Sequence, residues 1–203
     1  EDQSIYLQVT RGAALRDHGF PADAEPTVFA MSSPLKPVPE AIRRDGISTI
    51  TVEDIRWRHC DIKAIALLPN VLLRQRALDS GASEAILVRE GEVTEGAASN
   101  VFTVRGGEIR TPPKGNLLLP GITRDLVVEL CRQDGLDCRE APLLEEDLRA
   151  AEEIWITSST KEVVPVTLLD GVPVGEGKPG PVWEQVIGLY HRYKDAFRRG
   201  QAQ

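Results

Sequence analysis

An excess of positive charge is missing from this sequence. Its 24 Lys and Arg stand against 31 Asp and Glu, a formal net charge of −7. There is no basic footprint for nucleic acid or an anionic membrane, and the two signs are mixed along the chain. Long apolar runs are missing as well, so no segment reads as a membrane span. Cysteine is scarce: Cys60, Cys131 and Cys138 are odd in number and form no CxxC. They read as reduced thiols of a cytoplasmic protein rather than as a disulfide frame. The histidines, His18, His59 and His191, are not spaced with the cysteines as metal ligands, and no metal site is expected. The opening Glu-Asp-Gln-Ser has neither the basic nor the apolar region of a signal peptide. What is present is ordinary: 41% hydrophobic and 27% charged residues over 203 positions. That is enough for one large globular domain, or one domain and a fragment.

Ile5, Leu7 and Val9 alternate with Tyr6, Gln8 and Thr10, the period of a strand. Gly12, Gly19 and Pro21 punctuate a loop, and Thr27 to Met31 reads as a second short strand. Pro34, Pro37 and Pro39 then fall close together and mark a linker, where we place a domain boundary. Beyond it, "GISTITVEDIRW" and "RHCDIKAIA" read as extended, with a break near Glu53-Asp54 where the alternation changes phase. "PNVLLRQRALDSG" reads as a helix with Pro69 in its first turn and Gly81 as its stop. Strands follow at "EAILVRE", "EVTE", "NVFTVR" and "EIRT", then a helix over 123–134, a short helix at "LEEDLRAA" and a strand at "EIWITSS". The last helix carries Val182, Val186, Leu189, Tyr190, Tyr193 and Phe197 at spacings of three and four, a single buried stripe. Strands and helices do not strictly alternate, so the expected class is α+β rather than a doubly wound sheet.

Five places could carry chemistry. Lys63 lies in "DIKAIALLPNVLL", the most apolar window of the chain. A lysine desolvated there would have a lowered pKa and a nucleophilic amine, a candidate for a Schiff base; a strand-end lysine that reaches out to water is the plainer reading. Glu95, in "EGAASNVF", is a carboxylate followed by residues small enough for a flat ring to approach, and could hold a proton on a pyridine nitrogen; alone it would read as a turn glutamate. "LLLPGITRD" brings Gly121, Ile122 and Thr123 to the start of a helix, where free N–H groups and the helix dipole favour an anion, although an ordinary N-cap explains Thr123 as well. Ser158 and Ser159 end a strand as a second phosphate contact or a polar turn. Arg16 and His18, in "RDH", could hold a carboxylate or could be solvated loop residues.

The order of these elements, "RDH", "DIK", "TEGAASNVF", "LPGITRD" and "TSST", resembles the class IV pyridoxal-phosphate aminotransferases, from about Tyr6 to the last helix. "YLQVTRG…RDHGFP" is closer to the D-amino-acid enzymes of that class than to the branched-chain aminotransferases or aminodeoxychorismate lyases. The resemblance implies pyridoxal 5'-phosphate as cofactor and transamination between a D-amino acid, such as D-alanine or D-glutamate, and a 2-oxo acid. It implies that Lys63 carries the Schiff base and that Glu95 pairs with the ring nitrogen. Leu119 would pack on the ring, Ile122, Thr123, Ser158 and Ser159 would hold the phosphate, and Arg16 and His18 would trap the substrate carboxylate. It further implies a cytoplasmic homodimer without nucleic-acid or membrane partners. Residues 1–37 would be the tail of a small α+β domain and 38–203 the large cofactor-binding domain. Members of the class have most of that small domain before "YLQVTRG", with an arginine on the phosphate and a tyrosine near the substrate. The expectation is therefore a chain that lacks its first part, whose alternatives are a branched-chain aminotransferase, a lyase of the same fold, or a fragment without activity.

Overall fold

The computed structural model describes residues 2–201. The chain divides into two units, 1–37 and 38–203. The first is a two-stranded antiparallel sheet, β1 (Gln3–Thr10) on β2 (Thr27–Pro34), in register from Gln3 opposite Pro34 to Thr10 opposite Thr27. The loop between them carries Arg16 and His18, both exposed. Gly12 closes it at φ 110°, where a side chain would run into the backbone of Glu25. Arg11 lies over the Phe20 ring at 3.9 Å, a cation–π contact.

The second unit is a nine-stranded mixed sheet with helices packed on it, an α+β architecture. Its strands are β3 (Ile47–Glu53), β4 (Glu84–Arg89), β5 (Glu92–Gly96), β6 (Asn100–Arg105), β7 (Glu108–Thr111), β8 (Cys138–Glu140), β9 (Glu153–Ser158), β10 (Glu162–Leu169) and β11 (Val172–Pro173). The order is β5-β4-β3-β10-β9-β6-β7-β8, with β11 on β10. The helices are α1 (Glu40–Asp45), α2 (Leu68–Asp79), α3 (Ile122–Gln133), α4 (Glu145–Arg149) and α5 (Pro181–Arg198). Three apolar clusters hold the unit together. Ile86, Val101, Ile154 and Val164 pack with Leu143 and Leu148. Phe102, Trp155 and Val163 pack under α3 and α5 through Val127, Cys131, Trp183 and Val186. Leu73 and Ala77 of α2 pack on Ala85 and Leu87 of β4.

This sheet cannot be flat. β5 and β6 stand five strand spacings apart in the order, about 24 Å across a flat sheet, yet only Ala97, Ala98 and Ser99 join them. Four residue steps reach about 14 Å at most. The sheet therefore curls until its edge strand β5 lies beside β6, and the amide of Gly96 donates to the carbonyl of Ser99 at 2.6 Å across that seam.

Two expectations are corrected. The extended reading of "RHCDIKAIA" fails: β3 ends at Glu53 and residues 54–67 form an irregular loop. Its apolar side chains do not make it a strand, and several are exposed, among them Ile55, Ile62, Ile65 and Leu67. The stripe on the last helix is also shifted. Trp183 and Val186 are its buried residues, while Phe197 is 66% exposed. The helix is anchored at its start, where the Glu153 carboxylate accepts from the amides of Val182 (3.0 Å) and Trp183 (2.8 Å), satisfying N-terminal donors and the helix dipole together. None of the helices formed by the described residues is long and apolar enough to cross a membrane.

Candidate active site

Glu95 lies near the end of β5 at the seam and is buried, 5% exposed. Its Oε2 accepts from the Asn100 side-chain amide at 3.2 Å and from the Leu119 amide at 3.1 Å. Asn100 also donates to the Leu119 carbonyl at 2.9 Å, so the segment before α3 is tied to the seam by both of its neighbours. Gly121 packs directly on Asn100: a Cβ there would collide with the side-chain oxygen of Asn100. Glycine is what permits that approach.

The other carboxylate oxygen of Glu95 accepts from Arg56. Arg56 is itself buried, its side chain only 4% exposed, and it is oriented from the far side by Asp54. Its Nε and Nη2 bond the two Asp54 oxygens at 2.9 and 3.0 Å, a bidentate fork. Arg56 Nη2 also reaches Thr94 Oγ1 and the Leu117 carbonyl, while Thr94 Oγ1 donates to Asp54 at 3.0 Å. Arg89 of β4 adds a second cation, 3.1 Å from Asp54. Two carboxylates thus share two guanidiniums in a dry seam. Asp54 is buried, which would raise its carboxyl, but Arg56 and Arg89 outweigh this and hold it low. At Glu95 burial wins over Arg56, and its carboxyl is held above the ordinary range. Arg56 and Asp54 carry no assignment from the sequence, although "EDIRW" sets them two apart.

Lys63 is not desolvated. It lies in the loop after β3, exposed, and among the described residues it makes no hydrogen bond or ion pair. A chain of contacts leads from its loop toward the seam: the Cys60 amide donates to the Asn116 carbonyl at 2.8 Å, and the Asn116 side chain donates to the Arg58 carbonyl at 2.9 Å. Leu119 follows three residues after Asn116. The apolar window around Lys63 spends its side chains on the surface instead of burying the amine.

Beside Asn100, α3 begins at Ile122, and among the described residues no side chain caps its first turn. Ile122 is exposed and Thr123 is buried. In β9, Thr157 is paired opposite Asn100, so the two side chains lie on one face of the sheet. Thr157 is 1% exposed, and among the described residues its hydroxyl has no partner; nor has the buried Ser99 hydroxyl, in the β5–β6 turn. Ser158 is half-buried and Ser159 exposed, in the turn that follows. The amide of Lys161 donates to Ser158 Oγ at 3.3 Å. The structure thus gathers Glu95, Leu119, Thr123 and the end of β9 around one seam. Arg16 and His18 belong to the other unit, where the His18 amide bonds Asp17.

Over residues 1–169 the chain matches the family described as amino-transferase class IV. It belongs to that family. A D-alanine aminotransferase of Bacillus licheniformis is 45% identical over 185 residues, covering 91% of this chain and 65% of the relative. One of Staphylococcus haemolyticus is 40% identical over 195 residues, covering 95% and 68%. This member of the class IV aminotransferases spans about two thirds of the length of such relatives. Among solved structures, the branched-chain amino acid aminotransferase of Escherichia coli is 26% identical with a TM-score of 0.79, covering 99% of this chain and 66% of its own. A second branched-chain amino acid aminotransferase, solved with pyridoxamine 5'-phosphate, is 27% identical with a TM-score of 0.83, covering 94% and 64%.

The seam fits the cofactor with which that second enzyme was solved. A buried carboxylate with its charge partners in place suits a protonated ring nitrogen. An uncapped helix start and two unpartnered buried hydroxyls offer donors to a phosphate.

Proposed function

We propose that this chain carries the site of a pyridoxal 5'-phosphate aminotransferase that moves the amino group of a D-amino acid to a 2-oxo acid, with D-alanine or D-glutamate as donor. The single observation that supports it most is the buried Glu95 carboxylate, fixed by Asn100, Leu119 and Arg56, in a chain 45% identical to a D-alanine aminotransferase. When bound, the cofactor supplies an aldehyde that condenses with amines and a ring that accepts an electron pair.

Glu95 keeps a proton on the ring nitrogen and so favours loss of the substrate's α-proton. Leu119, whose backbone is bonded to both Glu95 and Asn100, presents its side chain to the ring. Ile122 and Thr123, at the uncapped start of α3, hold the phosphate together with Ser158 and Ser159. Lys63 Nζ would hold the cofactor by its aldehyde when it is bound and, as a free amine, would take the proton from the substrate Cα and pass it on. An exposed amine is open to the small-molecule amine that must displace it. Arg16 and His18 orient the substrate by its carboxylate. In this reading the protein is cytoplasmic and works paired with a second copy of itself.

A second reading is suggested by the solved branched-chain enzymes: the same machinery acting on an L-amino acid with a branched side chain. The pair Arg16 and His18 separates the two. Exchanging both for Ala is expected to lower D-alanine turnover by about 10²-fold or more. Unaltered D-alanine turnover in the double variant would overturn the carboxylate assignment.

A further inference from the structure

The turn that joins β9 to β10 is built against its own backbone preference. Three residues, Ser159 to Lys161, link Ser158 to its opposite number Glu162. Such loops place a residue in the left-handed region, and glycine or asparagine is what usually sits there. Here it is Glu162, at φ 61°. A positive φ is unfavourable for a glutamate, so its side chain has to offset that.

The side chain is 12% exposed and meets two cations and a histidine from two helices. Arg43 of α1 lies at 3.2 Å, His191 of α5 at 3.1 Å and Lys194 of α5 at 2.7 Å. Burial alone would raise the Glu162 carboxyl, but Lys194 and His191 outweigh it and hold it low. The contacts use both oxygens: Oε1 faces Lys194, and Oε2 faces Arg43 and His191. One carboxylate therefore ties the end of the turn to two helices at once, including the second half of the last helix, whose Phe197 end adds little to the core.

We propose that Glu162 is a positioning residue for the phosphate side of the site: clamped by Arg43, His191 and Lys194, it fixes the Ser158–Lys161 turn so that its hydroxyls and amides stay aimed at the phosphate. The proposal rests on the reading of Ser158 and Ser159 as phosphate contacts. Glu162 touches no cofactor itself and acts only through the turn. The C-terminal helix becomes part of the binding apparatus without contributing a ligand.

The decisive variant is Glu162→Gly, which removes the clamp while relieving the backbone, so that loss of function cannot be put down to strain; Lys194→Met loosens the clamp from the helix side. Two measurements on the full chain are needed. The first is amide hydrogen exchange without cofactor: both variants should speed exchange at Ser159 to Lys161 while the rest of the sheet stays protected. The second is the ratio of affinities for pyridoxal 5'-phosphate and for pyridoxal, which isolates the phosphate; it should fall about tenfold in Glu162→Gly. Unchanged exchange in the turn overturns the clamp whatever the cofactor does. A ratio that falls in Ser159→Ala but not in Glu162→Gly overturns the positioning role. If Ser158→Ala and Ser159→Ala both leave the ratio unmoved, the phosphate reading of the turn fails, and the positioning role fails with it, while the clamp itself is judged by exchange alone.

Discussion

Glu95 and Lys63 are the two charged groups that the proposed chemistry sets against one ring, and they live in opposite surroundings. Glu95 is sealed in the seam of a curled sheet, with both oxygens bonded. Lys63 stands in a loop, exposed, with no partner among the described residues. The difference follows from what each must do. A carboxylate that holds a proton on a ring acts as a fixed charge, and a fixed charge is strongest where water is excluded and its neighbours cannot reorient. An amine that must be displaced by substrate and then move a proton has to be mobile and reachable. On the proposed chemistry, electrostatics is built into the β-sheet and nucleophilicity is left to a loop.

Substituting the loop residue should have the largest effect on turnover and the smallest on the fold. Lys63→Ala is expected to lower transamination by about 10³-fold or more while shifting unfolding free energy by no more than about 0.5 kcal/mol. The absorption band that forms on adding pyridoxal 5'-phosphate should vanish with it. Borohydride reduction of the loaded protein, followed by peptide mapping, should place the label on Lys63. A label on another lysine would break the comparison at its first step.

The seam should behave the other way. Arg56→Met leaves Asp54 and Glu95 buried with Arg89 as the remaining cation of the seam, and removing one partner of a buried ionic network costs about 3–5 kcal/mol. Urea unfolding at neutral pH would show it. Arg56→Lys restores the charge but not the fork onto Asp54 and should recover only part of the loss. If Arg56→Met proved no less stable than Lys63→Ala, the seam would not be the rigid half of the pair.

How far the sequence discloses this contrast depends on which signal each residue carries. Glu95 stands out because small residues and a strand start follow it, but that local pattern alone reads as a turn glutamate, and its burial comes from the fold. Helices α2 and α3 are legible from Pro69, Gly81, Thr123 and Gly135, which act within one turn of chain. The environment of Lys63 is misread because apolar residues in a row indicate burial only on average; here Ile62, Ile65 and Leu67 lie at the surface. β10 is hidden by Pro165, which reads against a central strand. In the fold it precedes Val166, where the pairing with β3 begins, so only β9 flanks it. Arg56, Asp54 and Thr157 are missed for a different reason. Their importance comes from the curl that closes β5 onto β6, and strand order is not a local property of any segment.

The smallest expected effect is also the most informative about the seam. Glu95→Gln keeps the hydrogen-bonding shape and removes the charge. The Glu95 carboxyl is held above its ordinary range, with burial as the largest cause. The folded chain therefore binds that proton more tightly than the unfolded chain. Between the ordinary carboxylate range and the raised value, Glu95 makes the fold less stable as pH rises. Glu140 and Glu162, whose carboxyls are held low, act in the opposite sense, but they titrate in both proteins and drop out of the difference; Asp54, also held low, shares Arg56 with Glu95 and is relieved of a like charge in Glu95→Gln, which adds to the gain. Glu95→Gln should match the parent chain in acid and gain on it toward neutral pH, even as transamination falls. Urea midpoints across that pH range, without cofactor, would measure the gap. Parallel curves would mean that Arg56 fully compensates the buried charge, and the contrast between a sealed carboxylate and an open amine would then carry no energetic cost for the fold.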